Sequence, residues 1–228
     1  LRADLRACAD DIAASQGHVE VPLPSTRAPN DWERNVAGLA GAPWITADMA
    51  FRRSVLAAVQ GFDERFRLAY REDVDLALRV VDAGYGIVRG ERRVTHPVRP
   101  ASWHVSVRAQ RGNAWDPLMD AVHGRDWRER CGAPHGTRRR HAVVTCAAVA
   151  AIVAAAAGRL RWAVAPAALW AGSTAAFAWT RIAPGPRDAG EVAAMVITSV
   201  AIPPLAVGWW LAGRLRAVGA EPWTAASV

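Results

Sequence analysis

The feature that most constrains this chain is its last third. Residues 142 to 213 are mostly Ala, Val, Ile, Leu and Trp, arranged as apolar runs at 142–157, 162–180 and 192–213. A helix that spans a bilayer needs about 20 such residues. The third run clearly reaches that length, whereas the first two are Ala-rich, parted only by a short segment holding Arg159 and Arg161, and marginal inserters singly. Trp162, Trp179, Trp209 and Trp210 stand near run ends, where amphipathic rings anchor at an interface. Pro203 and Pro204 are compatible with a span, because membrane helices tolerate proline. Runs this long with so few charges are unusual in soluble domains, so a helical transmembrane region over 142–217 with a tail at 218–228 is expected. The competing reading is a helical bundle buried against a partner.

Residues 1 to 140 hold nearly all the acids and most of the arginines, so a soluble half precedes the apolar one. Between them, 131–141 reads as a basic linker, and Arg138, Arg139 and Arg140 form the kind of cluster that stays on the cytoplasmic side. The net charge is +7, but every basic residue is Arg and none is Lys, which points to GC-rich coding. A nucleic-acid binder would gather its charge on one face and interleave aromatics with it, so no nucleic-acid partner is expected. Cys8, Cys131 and Cys146 lack any CxxC spacing, which fits a reducing compartment better than a disulfide framework or a zinc site. The chain begins at Leu1 without a charged-then-apolar leader, and reads as the later part of a longer protein.

Within the soluble half, residues 3 to 15 suggest a short amphipathic helix stopped by Gly17, and 19–30 a strand running into a proline-rich loop. Trp44 to Ala47 suggests a short buried strand, and Arg53 to Val59 two helical turns. From Glu72, the apolar positions Leu76, Ala77, Val80 and Val81 recur at helical spacing until Gly84. Short strands are expected at 86–89 and 92–96, then an amphipathic helix at 103–123 interrupted at Pro117. Alternating strands and helices make an α/β domain over about 1–130.

The residues that invite a chemical reading are Asp63, Glu64, Glu72, Asp73 and Asp75, grouped around a helix start. Acids in a first turn complement the helix dipole by roughly 0.3–1 kcal/mol each, and Asp75 with Arg79 makes an ordinary i,i+4 pair on a helix face. Physical chemistry alone favours that plain reading.

The ordered series WITADMAFRR (44–53), GFDERF (61–66), REDVDLALR (71–79) and VTHPVRP (94–100) resembles the C-terminal half of the nucleotide-binding domain of family 2 glycosyltransferases. The resemblance covers about residues 35 to 100. It implies a partial GT-A fold, a Rossmann-like domain for nucleotide sugars, followed here by the membrane region. It also implies that Asp73 of the ED pair is the general base of an inverting transfer, with Glu72 orienting the acceptor or the backbone. Direct displacement at an anomeric carbon requires the acceptor hydroxyl to lose its proton as it attacks, and a carboxylate fixed at a helix N-terminus can accept it.

By the same resemblance, His96 is a ligand for magnesium or manganese, which would offset charge on the departing nucleoside diphosphate. Thr46, Asp48, Arg52, Arg53 and Asp63 are expected to line the donor and acceptor pocket, an arginine matching phosphate oxygens in a fork. A DxD motif, the usual companion of such a His, is missing before residue 48, so the donor-binding half is expected upstream of Leu1. Gln110, Arg111 and Trp115 stand where processive members carry QxxRW, but the spacing differs.

The function so implied is a bacterial, metal-dependent glycosyltransferase of the inner membrane, its catalytic part cytoplasmic. Its donor would be a nucleotide sugar and its acceptor lipid-linked or a cell-envelope polysaccharide. The alternative is a non-catalytic membrane-anchored interaction module. A metallohydrolase built on His18, His96, His104 and His123 lacks any HxxxH or HxH spacing.

Overall fold

The computed structural model describes residues 2–224. Its α/β half is built on a three-stranded sheet in the order β2-β1-β3, from β1 (Ile12–Glu20), β2 (Met49–Phe51) and β3 (Gly86–Thr95). β1 is central, pairing antiparallel with β2 and parallel with β3. A sheet whose edge strand runs against an otherwise parallel pair is common in doubly wound α/β domains.

The helices of this half are α1 (Arg2–Ala7), α2 (Asp31–Ala37), α3 (Arg53–Ala58), α4 (Glu72–Asp82), α5 (Val105–Ala109), α6 (Asp116–His123) and α7 (Trp127–Arg130). α4 lies between two cores. Leu76 and Val80 face the sheet and α3, packing with Ala13, Val55 and Val59. Leu78 faces the other way, into a cluster with Trp115, Met119, Val122 and Trp127 from α6 and α7. Because both sides of α4 are covered, its first turn is held fixed.

Several sequence expectations are corrected. The helix expected over 3–15 ends at Ala7, and Ile12 onward is the central strand. Ala13, Ala14, Ser15, Gln16 and Gly17 are all buried, and burial in a central strand outweighs the helix propensity of alanine. Gly17 does not stop a helix; it lies within β1, where a Cβ would overlap the Asp48 carboxylate. Trp44–Ala47 is no strand, and the pairing segment is Met49–Phe51. The two strands expected at 86–96 form one, whose register against β1 shifts after Arg89. The helix expected at 103–123 is broken into α5, a 3₁₀ turn at Gln110–Ala114, and α6.

The C-terminal half has three long helices, α8 (Arg138–Ala156), α9 (Leu160–Ile182) and α10 (Ala189–Arg216). α8 and α10 are long and apolar enough to cross a membrane. The arginine cluster 138–140 forms the first turn of α8 instead of a linker.

α8 and α9 pair as a hairpin, and α10 packs across it and along α5, the 3₁₀ turn and α6. Near its start, Glu191 accepts a hydrogen bond from the Asp31 N–H at 3.0 Å. Near its end, Gly213 is pressed against the Ala114 backbone, where a Cβ would overlap the carbonyl. The longest apolar helix therefore lies along the α/β half. Arg181 of α9 locks this arrangement, bonding Asp31 at 2.8 Å and the Thr198 and Ser199 hydroxyls at 2.8 and 3.0 Å.

Candidate active site at the mouth of helix α4

Residues Tyr70 to Val74 carry the site. Arg71, the N-cap of α4, has φ +79°, a left-handed conformation that costs a non-glycine residue about 1–3 kcal/mol. Its side chain offsets this: Nε donates to Asp116 at 3.0 Å, and the guanidinium lies over the Tyr70 and Trp127 rings at 4.5 and 4.8 Å. Trp44, two residues before Thr46, is also left-handed at φ +57°. Among the described residues, two of the three positive-φ residues that are not glycine thus flank the same place, and such strain concentrates at functional sites.

Asp73 and Glu72 follow at the helix mouth, both partly buried. Burial pushes the Asp73 carboxyl above the usual aspartate range, although hydrogen bonds from the Val74, Asp73 and Thr46 backbone and the nearby Arg71 charge favour its ionised form. The Val74 N–H donates to Asp73 Oδ1 at 2.8 Å. Burial, with the neighbouring Asp73, also raises Glu72. Glu72 Oε2 is buried and accepts no hydrogen bond. One carboxylate is therefore held by backbone donors and raised by burial, beside a second whose Oε2 is buried without a hydrogen bond.

Of the residues expected to join them, Thr46 does so through its backbone. Asp48 is engaged elsewhere, 3.2 Å from Arg92, whose guanidinium also pairs with Asp4 and donates to the Ser15 carbonyl at 2.8 Å. Arg52 donates to the carbonyls of Leu5, Cys8, Ala9 and Ile12, tying the end of α1 to the sheet. Arg53 is exposed at the start of α3. Asp63 pairs with Arg65 at 2.6 Å in the turn before the site, and burial notwithstanding, that arginine holds its carboxyl below the usual range. Gln110 bonds within its own turn to Ser106 and Asn113, and Arg111 lies over the Trp209 ring at 5.9 Å.

His96 lies just past β3, its Nδ1 buried without a partner. Among the described residues no three His, Cys, Asp or Glu side chains gather at metal-binding distance. One imidazole does not make a magnesium or manganese site, which is built chiefly from oxygen donors.

Asp75 and Arg79, expected on an ordinary helix face, are instead buried. They pair at 2.7 Å, Arg79 also donates to the Val59 carbonyl, and Asp75 Oδ1 lies 2.8 Å from His123 Nε2. The i,i+4 spacing was visible in the sequence, but nothing there marked His123 as the partner that completes the network. Arg71 was likewise unmarked, because a single left-handed residue is signalled by Gly, Asn or Asp.

No family model, curated protein or solved structure matches this chain.

Proposed function

We propose that this chain carries the acceptor-activating part of an inverting glycosyltransferase acting at a membrane. The observation that carries the reading is the Glu72–Asp73 pair: two partly buried, proton-raised carboxyls on a helix mouth held by a strained N-cap. The resemblance of about residues 35–100 to family 2 glycosyltransferases supplies the reaction class. The acceptor hydroxyl attacks the anomeric carbon and the Asp73 carboxylate takes its proton. The bond from that carbon to the nucleoside diphosphate breaks, with its electron pair leaving on the phosphate oxygen. By the same resemblance, Glu72 orients the acceptor hydroxyl or the backbone. The donor is a nucleotide sugar, and the apolar helices favour an acceptor carried on lipid or in the cell envelope, with the catalytic part on the cytoplasmic side.

The test is transfer by the full protein in membrane extract, over a panel of nucleotide sugars. Asp73→Asn should abolish transfer, a loss of at least about 10²-fold, while donor binding persists. Retained activity in this variant would remove Asp73 from the role of base. Failure of the wild-type protein to transfer any sugar would favour the non-catalytic membrane module.

A further inference from the structure

Beside the α4 mouth, the structure encloses a cleft of about 830 Å³ between the α/β half and the roots of α8 and α10. Six arginines line it: Arg71, Arg125, Arg128, Arg138, Arg139 and Arg214. The acids facing them are Asp116 and Asp120, and the histidines are His135 and His141. Asp116 is shared by Arg71 and Arg128, and Asp120 accepts the Trp127 indole N–H at 2.9 Å and lies 4.0 Å from Arg128. Arg125, Arg138, Arg139 and Arg214 have no carboxylate partner among the described residues. Arg138 from α8 and Arg214 from α10 lie over the same Trp210 ring, at 4.6 and 5.6 Å. Two like charges are thus brought to one indole with no acid to balance them.

A phosphate or diphosphate is the ligand this arrangement fits. Guanidinium forks match phosphate oxygens bidentately, and the cleft lies within the 300–1,000 Å³ usual for small-ligand sites. Its position selects the source. Among the described residues α8 and α10, whose first and last turns line the cleft, are long and apolar enough to cross a membrane, which favours a lipid headgroup as the source.

We propose that this cleft binds the phosphate or diphosphate headgroup of a membrane lipid and, through Tyr70 and Arg71, holds it next to Glu72 and Asp73. The placement beside the base rests on the glycosyltransferase reading; the anion site itself does not.

The full protein, purified in neutral detergent, is titrated with a short-chain lipid phosphate, with inorganic pyrophosphate and with uridine diphosphate, following the phosphorus resonance and Tm. The lipid phosphate should bind most tightly. Arg139→Gln, at an exposed position with no hydrogen bond or ion pair among the described residues, and the pair Arg138→Gln with Arg214→Gln should weaken it roughly tenfold or more per arginine, while exposed Arg89→Gln on β3 should leave it unchanged. Equal binding by pyrophosphate or uridine diphosphate overturns the lipid assignment, and binding indifferent to these arginines overturns the site. Asp73→Asn should bind the lipid phosphate normally. If it does and still transfers sugar, the assignment of the base falls and the cleft stands; if transfer is lost in Asp73→Asn but the arginine variants keep the wild-type KM for acceptor, the cleft falls and the base stands.

Discussion

At residue scale, the cost of holding Asp73 where it is has a measurable signature. Its pKa is raised in the fold mainly by burial, so between the ordinary aspartate range and the raised value the folded state binds more proton than the unfolded. The associated stability is fully present at low pH and is lost as pH rises through the raised value. Asp73→Asn removes that loss. Its Tm should match wild type at acid pH and exceed it increasingly toward neutrality, as when a functional carboxylate is removed at a gain in stability. Thermal unfolding in detergent across pH checks this; a variant less stable than wild type at neutral pH would contradict it. Asp75, two residues on, is the contrasting case. Its charge is matched by Arg79 and bonded to His123, and its role is to bind α4 to α6.

At the scale of elements, α10 decides the arrangement. Its buried positions Ala194, Met195, Thr198, Ser199, Ile202 and Ala206 make one stripe, and Val196, Ile197, Val200 and Leu211 remain exposed on the other side. The helix is apolar all round, so its sequence does not say which face meets protein. Gly213 marks the close approach to Ala114, whereas Gly208 has open space around its Cα. Gly→Ala inside a helix normally stabilises by about 0.5–1 kcal/mol. Gly208→Ala should show that gain, and Gly213→Ala should reverse it, costing about 1–3 kcal/mol through overlap with backbone that cannot move aside. Paired Tm measurements test this; equal gains at both positions would place α10 away from the 3₁₀ turn.

At the scale of the molecule, the exposed apolar side chains are concentrated on the C-terminal helices, with Ile152, Val153, Leu160, Trp162 and Val164 each more than 60% exposed. A surface of this extent needs lipid or a partner. Native cysteines report which. Cys146 is exposed on α8 while Cys131 is buried in the α/β half. If α8 enters the bilayer, Cys146 in intact membranes of a Cys8→Ser variant should resist both a charged and a permeant maleimide, because the reaction needs a thiolate in water, and should react once the protein is denatured. Prompt labelling by the charged reagent would indicate a water-exposed helix.

The sequence by itself determined the apolar C-terminal half, the α4 helix with Glu72 and Asp73 in its first turn, and its stop at Gly84. Each is a local pattern of composition or period, readable without knowing what lies opposite. Tertiary structure alone decided the rest. Ala13 and Ala14 became a central strand because a buried site needed small side chains, and Asp48 and Arg52 became ties within the sheet because their partners lie 44 and 40 residues away. The same holds for the arginine cleft. Arg138, Arg139 and Arg214 are ordinary cations along the chain, and only the packing of α10 against α8, the 3₁₀ turn and α6 brings their unbalanced charge to one place.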